Sequence, residues 1–264
     1  MHRTIAIVNQ KGGVGKSTTA VNLGASLAVL GQRTLLCDLD PQANATSGLG
    51  LQKSPASSSA YGVIIEGRPL RDVAVSTDIP ALDLIPSSPH LAGAEIELVP
   101  LMSRETRLRE ALEGVGDRYE VVLLDCPPSL GLLTINALTA ATEVLIPIQC
   151  EYYALEGLSQ LLDSVRLVQK FLNSSLEISG VLLTMFDART RLAEQVAAEV
   201  RRFFKDKMYE TVIPRSIRLA EAPSYGMPVI SFDPSSRGAE AYLSLAKEVV
   251  TRGRDTAALV APVS

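Results

Sequence analysis

Residues 9–18 read Asn-Gln-Lys-Gly-Gly-Val-Gly-Lys-Ser-Thr. These types and this spacing suit phosphate chemistry. Gly12, Gly13 and Gly15 let the backbone curl, so that successive N–H groups, Val14's among them, converge on an anion. Lys16 adds a cation on a flexible stem. Ser17, followed by Thr18, adds a hydroxyl of the kind that enters the oxygen shell of Mg²⁺. One position departs from the ordinary phosphate loop. Gln10 stands where G-x-x-x-x-G-K-[ST] has its first glycine, and a second lysine, Lys11, follows it. Lys11 lies five residues before Lys16, so the two do not easily serve the same oxygens from one side. A lone lysine is by default a solvated surface charge. A lysine reaching a neighbouring subunit's site would instead hold ATP between two protomers and add a cation for phosphoryl transfer.

Two further segments carry strand-terminal carboxylates. Leu35-Leu36-Cys37 leads to Asp38 and then Asp40, and Val121-Val122-Leu123-Leu124 leads to Asp125. Taken alone, such an aspartate is a turn former or a helix cap. Beside a phosphate loop, Asp38 and Asp125 are candidate Mg²⁺ partners, directly or through water. An aspartate just past a strand end, such as Asp40, could reach the water in line with a γ-phosphate. In Asn44–Gly50 that follows, Gly48 and Gly50 are either plain turn residues or part of a nucleotide-sensing switch.

The elements that must position these groups are legible from apolar runs. Strands are expected at 4–8, 34–37, 82–85, 121–124, 144–148, 180–184 and 211–213. Their continuous Val/Ile/Leu content suits a parallel sheet covered on both faces. Helical periodicity marks Ala20–Leu30, Leu158–Val168 and Tyr242–Val249. The alternation predicts a doubly wound α/β fold with a mostly parallel sheet. One domain is expected over residues 1–252, with a loose tail at 253–264. Gln149–Tyr153 follows a strand and is either a dimer contact or strand-to-helix packing. Pro214-Arg215 follows the last strand, where Pro214 also serves as a terminator.

The chain has 264 residues, 47% of them hydrophobic, and a net charge of −4. No apolar run approaches a membrane span, and no leader peptide is evident. Cys37, Cys126 and Cys150 are widely spaced and odd in number, which argues against a disulfide framework or a zinc site and fits a reducing compartment. Between residues 187 and 218 eight cations face five acids, a net +3 within the overall −4. Arg201, Arg202 and Lys205 are expected on one helix face, either as a solvated surface or as backbone-phosphate contacts for DNA. Phe203 and Phe204 are expected in the core, leaving no aromatic interleaved with the cations.

The Lys11–Ser17 run resembles the deviant Walker A motif of the ParA/MinD superfamily, and the chain is similar to its chromosomal ParA (Soj) branch along nearly its whole length. The resemblance implies a slow, Mg²⁺-dependent ATPase of the cytoplasm and nucleoid. Lys11 would be the signature lysine, Lys16 and Asp40 its catalytic companions, and Asp125 the Walker B aspartate. Asp38 and Asp40 match the second acidic motif, and Asp40 the position that orients the attacking water. Pro214 and Arg215 match the adenine-side segment. Arg189 and Arg218 match positions that bind DNA non-specifically. Partners implied are a second copy in the ATP state, duplex DNA and a ParB/Spo0J-like protein. The membrane-recruited MinD-like alternative needs a basic amphipathic C-terminal helix, and the residues after Arg254 carry no cation. A relative carrying an iron–sulfur cluster would need cysteines placed differently. A non-enzymatic nucleotide-sensing DNA switch is the remaining alternative. The chain starts at its first strand, so an operator-reading N-terminal domain is not expected.

Overall fold

A computed structural model describes residues 2–151 and 158–260, with the side chains of 254–260 outside the description. Among the described residues eight strands form one sheet: β1 (Arg3–Ile7), β2 (Thr34–Asp38), β3 (Val75–Ser76), β4 (Leu82–Ile85), β5 (Val121–Asp125), β6 (Glu143–Gln149), β7 (Glu177–Phe186) and β8 (Met208–Pro214). Their order is β3-β4-β2-β5-β1-β6-β7-β8. Every described pairing is parallel except β3 against β4. All seven expected strands form. The eighth, β3, has two exposed residues at the sheet edge and is too short to show a pattern.

Alternate residues of each strand feed opposite faces, as the pleat requires. Ile5, Ile7, Leu36, Leu123, Leu145 and Leu182 pack with α1 (Lys16–Val29) and with the C-terminal helix, Arg237–Val260. Ala6, Val8, Leu35, Leu124 and Ile146 pack on the other side, with the helices Leu132–Ala140, Leu158–Phe171 and Arg191–Phe204. The fold is therefore the doubly wound α/β architecture. Cys37 and Cys126 are buried free thiols, as their small apolar character suggests.

The C-terminal helix is described as far as Val260, where Ala257-Ala258-Leu259 favours helix. Two expectations are corrected. Phe203 is 63% exposed, whereas Phe204 is buried. Adjacent helical positions lie about 100° apart, so only one of the pair can face the sheet. Lys205 lies beyond the helix Arg191–Phe204, at φ 47 and ψ −117, so it does not share a helix face with Arg201 and Arg202.

Candidate functional site

In an open parallel sheet, loops at the carboxyl ends of adjacent strands share one crevice. Here β2, β5 and β1 are neighbours, so the phosphate loop, Asp38 and Asp125 meet at one edge. Asp38 and Asp125 are register partners, as are Asp125 and Ile7. The backbone N–H of Leu39 donates to the Asp125 carbonyl at 3.0 Å, stitching the two strand ends together.

The loop is held from both sides. The Asn9 amide donates to the Pro147 carbonyl at 2.7 Å, and its oxygen accepts from the Lys11 N–H at 2.9 Å. The Thr184 hydroxyl, on β7, donates to the Val14 carbonyl at 2.8 Å. Gly13 and Gly15 take left-handed φ of 74° and 89°, which only glycine adopts at little cost. A Cβ on Gly12 or Gly13 would meet nothing within 4 Å, so this side of the loop is open. Gly15 caps α1 without a side-chain bond, leaving the helix's first N–H groups directed at the crevice.

Lys16 is buried, and its ammonium donates to the Lys11 carbonyl at 3.2 Å. Burial lowers its pKa, opposed by the nearby Asp125 and Asp40 carboxylates. Lys11 behaves differently. Its ammonium turns away from the nest to an ion pair with Glu151 at 3.3 Å, and Gln149 donates to the other Glu151 oxygen. Gln149 and Glu151 thus hold Lys11 at the end of β6. Tyr152 and Tyr153, the rest of the expected dimer contact, lie outside the described residues.

Asp38 sits in a network of its own. One oxygen accepts from both the N–H (2.7 Å) and the hydroxyl (2.6 Å) of Thr46, in the middle of α2 (Asn44–Gly48). The other accepts from the Asp40 N–H at 3.2 Å. Burial raises the Asp38 pKa to about 6, while the Thr46 bonds pull it down. Asp40 is braced around its turn. Its side chain accepts from the Gln42 N–H at 3.0 Å, and its carbonyl accepts from the Ser87 hydroxyl at 2.6 Å.

Asp125 decides whether a magnesium–nucleotide complex fits. Both of its oxygens are buried, and neither has a hydrogen-bond partner at bonding geometry among the described residues. Burial and then the Asp38 charge push its pKa well up, while the neighbouring Ser17 hydroxyl favours the charged form. Two bare carboxylate oxygens beside an open nest are unfavourable unless a cation or its waters engage them. Among the described residues, no group of three or more His, Cys, Asp or Glu forms a protein cage for a metal. Mg²⁺ commonly uses one or two carboxylates plus phosphate oxygens and water. The residues present fit that arrangement, with Ser17 and Asp125 nearest the nest and Asp38 beside Asp125.

The remaining predicted positions distribute unevenly. Arg215 continues from β8 at the crevice edge and is exposed; its N–H donates to the Phe186 carbonyl at 2.9 Å, and Pro214 is half-buried. Arg189 forks onto Asp187 at 2.7 Å, and Arg218 pairs with Glu221 at 2.9 Å and Asp233 at 3.1 Å. Arg201, Arg202 and Lys205 are not brought to this edge. The helix between β7 and β8 carries them to the opposite one, so the expected basic strip is two separate groups. Gly48 packs on Val21, and a Cβ on Gly50 would come within 3.0 Å of the Gly226 carbonyl, so close packing accounts for both glycines. Thr46, Ser87 and Thr184 serve the site without a motif to mark them. Their only signal is a hydroxyl next to, or a few residues beyond, a strand end.

This geometry has relatives. Residues 2–178 match the model of an AAA domain family. The chain is 61% identical to the sporulation initiation inhibitor protein Soj of Bacillus subtilis, over 96% of this chain and all of that protein. It is 52% identical to the chromosome partitioning protein ParA of Myxococcus xanthus, over 95% of this chain and 88% of that one. The chain belongs to the ParA/Soj family. A solved structure titled cobyrinic acid a,c-diamide synthase, from Mycobacterium smegmatis with bound ADP and magnesium, superimposes with a TM-score of 0.83 at 36% identity, covering 96% of both chains. The ParA/Soj loop with its second lysine is thus seated in a fold whose solved relative carries a magnesium nucleotide. Among the described residues no helix is long and apolar enough to cross a membrane.

Proposed function

We propose that this protein is a chromosome-partitioning ATPase that uses ATP with Mg²⁺ and cycles between a monomer and an ATP-bound dimer. The observation that carries the reading is the division of labour between the two lysines. Lys16 lies inside its own nest, whereas Lys11 is turned outward to Glu151 at 3.3 Å. A lysine so placed serves a partner's phosphates more readily than its own. Mg²⁺ supplies charge neutralisation of the phosphates when bound. The chain's own groups do the rest. The Gly12–Thr18 backbone and Lys16 bind and orient the phosphates, with Pro214 and Arg215 placed for the base. Ser17, Asp38 and Asp125 hold the metal's oxygen shell, and Asp40 orients water from its braced turn.

In the dimer, Arg189 and Arg218 of two crevice edges come into one field and neutralise backbone phosphates of duplex DNA without reading sequence. A ParB-like partner with a basic tail stimulates hydrolysis, and the nucleoid is the working location. Asp40→Ala is expected to keep nucleotide binding and ATP-dependent dimer size in gel filtration, with hydrolysis at background. Lys11→Ala is expected to bind nucleotide and stay monomeric. Wild-type turnover in Asp40→Ala, or an ATP dimer of Lys11→Ala, would overturn these assignments.

A further inference from the structure

The helix Arg191–Phe204 returns antiparallel to β7 and β8, so its two ends lie at opposite edges of the sheet. Fourteen residues at 1.5 Å each separate those ends by about 21 Å. Arg189 and Arg215 flank the crevice edge. Arg201, Arg202, Lys205 and Lys207 occupy the far edge, all exposed. The two groups also differ in pairing. Arg189 is committed to Asp187. None of the four far-edge cations has an ion pair or side-chain hydrogen bond among the described residues, although Glu199 and Asp206 lie in the same stretch.

Phe203 lies between Arg202 and Lys205 in sequence, 63% exposed, in the last turn of the helix. Its ring meets the buried Phe204 edge-on, with centroids 4.9 Å apart. The next residue, Lys205, holds a positive φ of 47° that a non-glycine residue adopts only when its surroundings enforce it. An exposed aromatic in the same short stretch as unpaired arginine and lysine has the composition of an interface anchor.

We propose that this far edge is a docking surface for an acidic protein segment carrying an apolar side chain. Phe203 is covered by the segment's apolar residue, and Arg201, Arg202, Lys205 and Lys207 meet its carboxylates. A duplex would satisfy the cations but offers sugar and phosphate edges to the ring, so the aromatic favours protein over DNA. The surface faces away from the nucleotide crevice, and its engagement does not depend on which nucleotide is bound.

The test uses the full chain with ADP and fluorescence anisotropy of a short labelled peptide of Asp and Glu with two leucines four residues apart. Saturable binding is expected. Phe203→Ala is expected to weaken it about tenfold at low and high salt alike. Arg201→Ala and Arg202→Ala are expected to weaken it chiefly at low salt, because an exposed charge acts within a Debye length. Phe203→Leu is expected to retain most of the affinity, and circular dichroism with nucleotide binding checks that each variant is folded. Absence of saturable binding overturns the proposal. So does equal binding by Phe203→Ala, or equal binding of a peptide with serine for leucine. A short duplex that binds in the ADP state and is lost with these same substitutions, where the peptide is not, assigns the edge to nucleic acid instead.

Discussion

Asp38 and Asp125 are side by side at the ends of β2 and β5, both fully buried. Burial of an acid beyond what its bonds repay means that the folded chain holds the proton more tightly than the unfolded chain does. For Asp38, raised to about 6, the resulting stability is fully present below about pH 4 and is lost as pH rises through 6. Without divalent cations, the stability of the wild type relative to Asp38→Asn is therefore expected to fall as pH rises from about 4 to 7, measured by urea unfolding. A flat difference across that range would remove the charge cost from Asp38. The loop and both aspartates were legible in the sequence because their chemistry is tied to strand ends and glycines. The Asp38–Thr46–Ser87 network was not, because Thr46 and Ser87 reach it by tertiary approach, 8 and 49 residues along the chain from Asp38.

Apolar runs of four or five residues sufficed to place β1, β2 and β5, which are buried along almost their whole length, and β4 was legible although Asp83 interrupts its apolar residues. β7 and β8 extend beyond their apolar runs into polar residues, which the pattern could not delimit. The helices tell a similar story. The helix Leu158–Phe171 buries the periodic leucines and valines, whereas α1 is buried on nearly every side between sheet and C-terminal helix. The turn at Gly226 fastens this layer to α2. Its φ is +65°, and a Cβ there would lie 2.6 Å from the Gly50 Cα. Gly226→Ala combines a left-handed penalty of about 1–2 kcal/mol with a backbone clash. It is expected to cost roughly 2 kcal/mol or more in denaturant midpoint and to weaken nucleotide affinity by shifting α2 under Asp38. A variant as stable as the wild type would show that the two turns can separate freely.

At the scale of the molecule, charge is sorted by edge. The crevice edge gathers buried acids, the nest, the paired Arg189 and Arg218 and the exposed Arg215, and the far edge gathers unpaired cations together with Phe203. Sequence distance concealed this, because residues 189 to 218 read as one basic stretch while the fold sends the middle of it to the other end. Ligand linkage belongs to the crevice edge alone. Saturation at a hundred times the dissociation constant raises stability by about 2.7 kcal/mol. Mg²⁺ with ATP is therefore expected to raise the melting temperature of the wild type by several degrees and that of Lys16→Ala hardly at all. Arg201→Ala should respond as the wild type does, since substitutions more than about 10 Å apart with no shared partner act independently. An undiminished rise in Lys16→Ala would detach the nest from nucleotide binding.

One hydroxyl has a wider reach than its size suggests. Thr184 ties the Val14 carbonyl to β7, and β7 leads through Asp187 and Arg189 into the helix whose front end flanks the crevice. Phosphate contacts inside the nest and the arginines outside it therefore share a rigid strut. On the proposed reading, a displacement of Val14 when the nest fills would move the footing of Arg189, and a duplex held by Arg189 would pull back on the nest. Thr184→Val keeps the shape and cuts the tether. It is expected to leave nucleotide affinity within about threefold while erasing the difference in DNA affinity between ATP and ADP, and an intact difference would locate the signal path elsewhere.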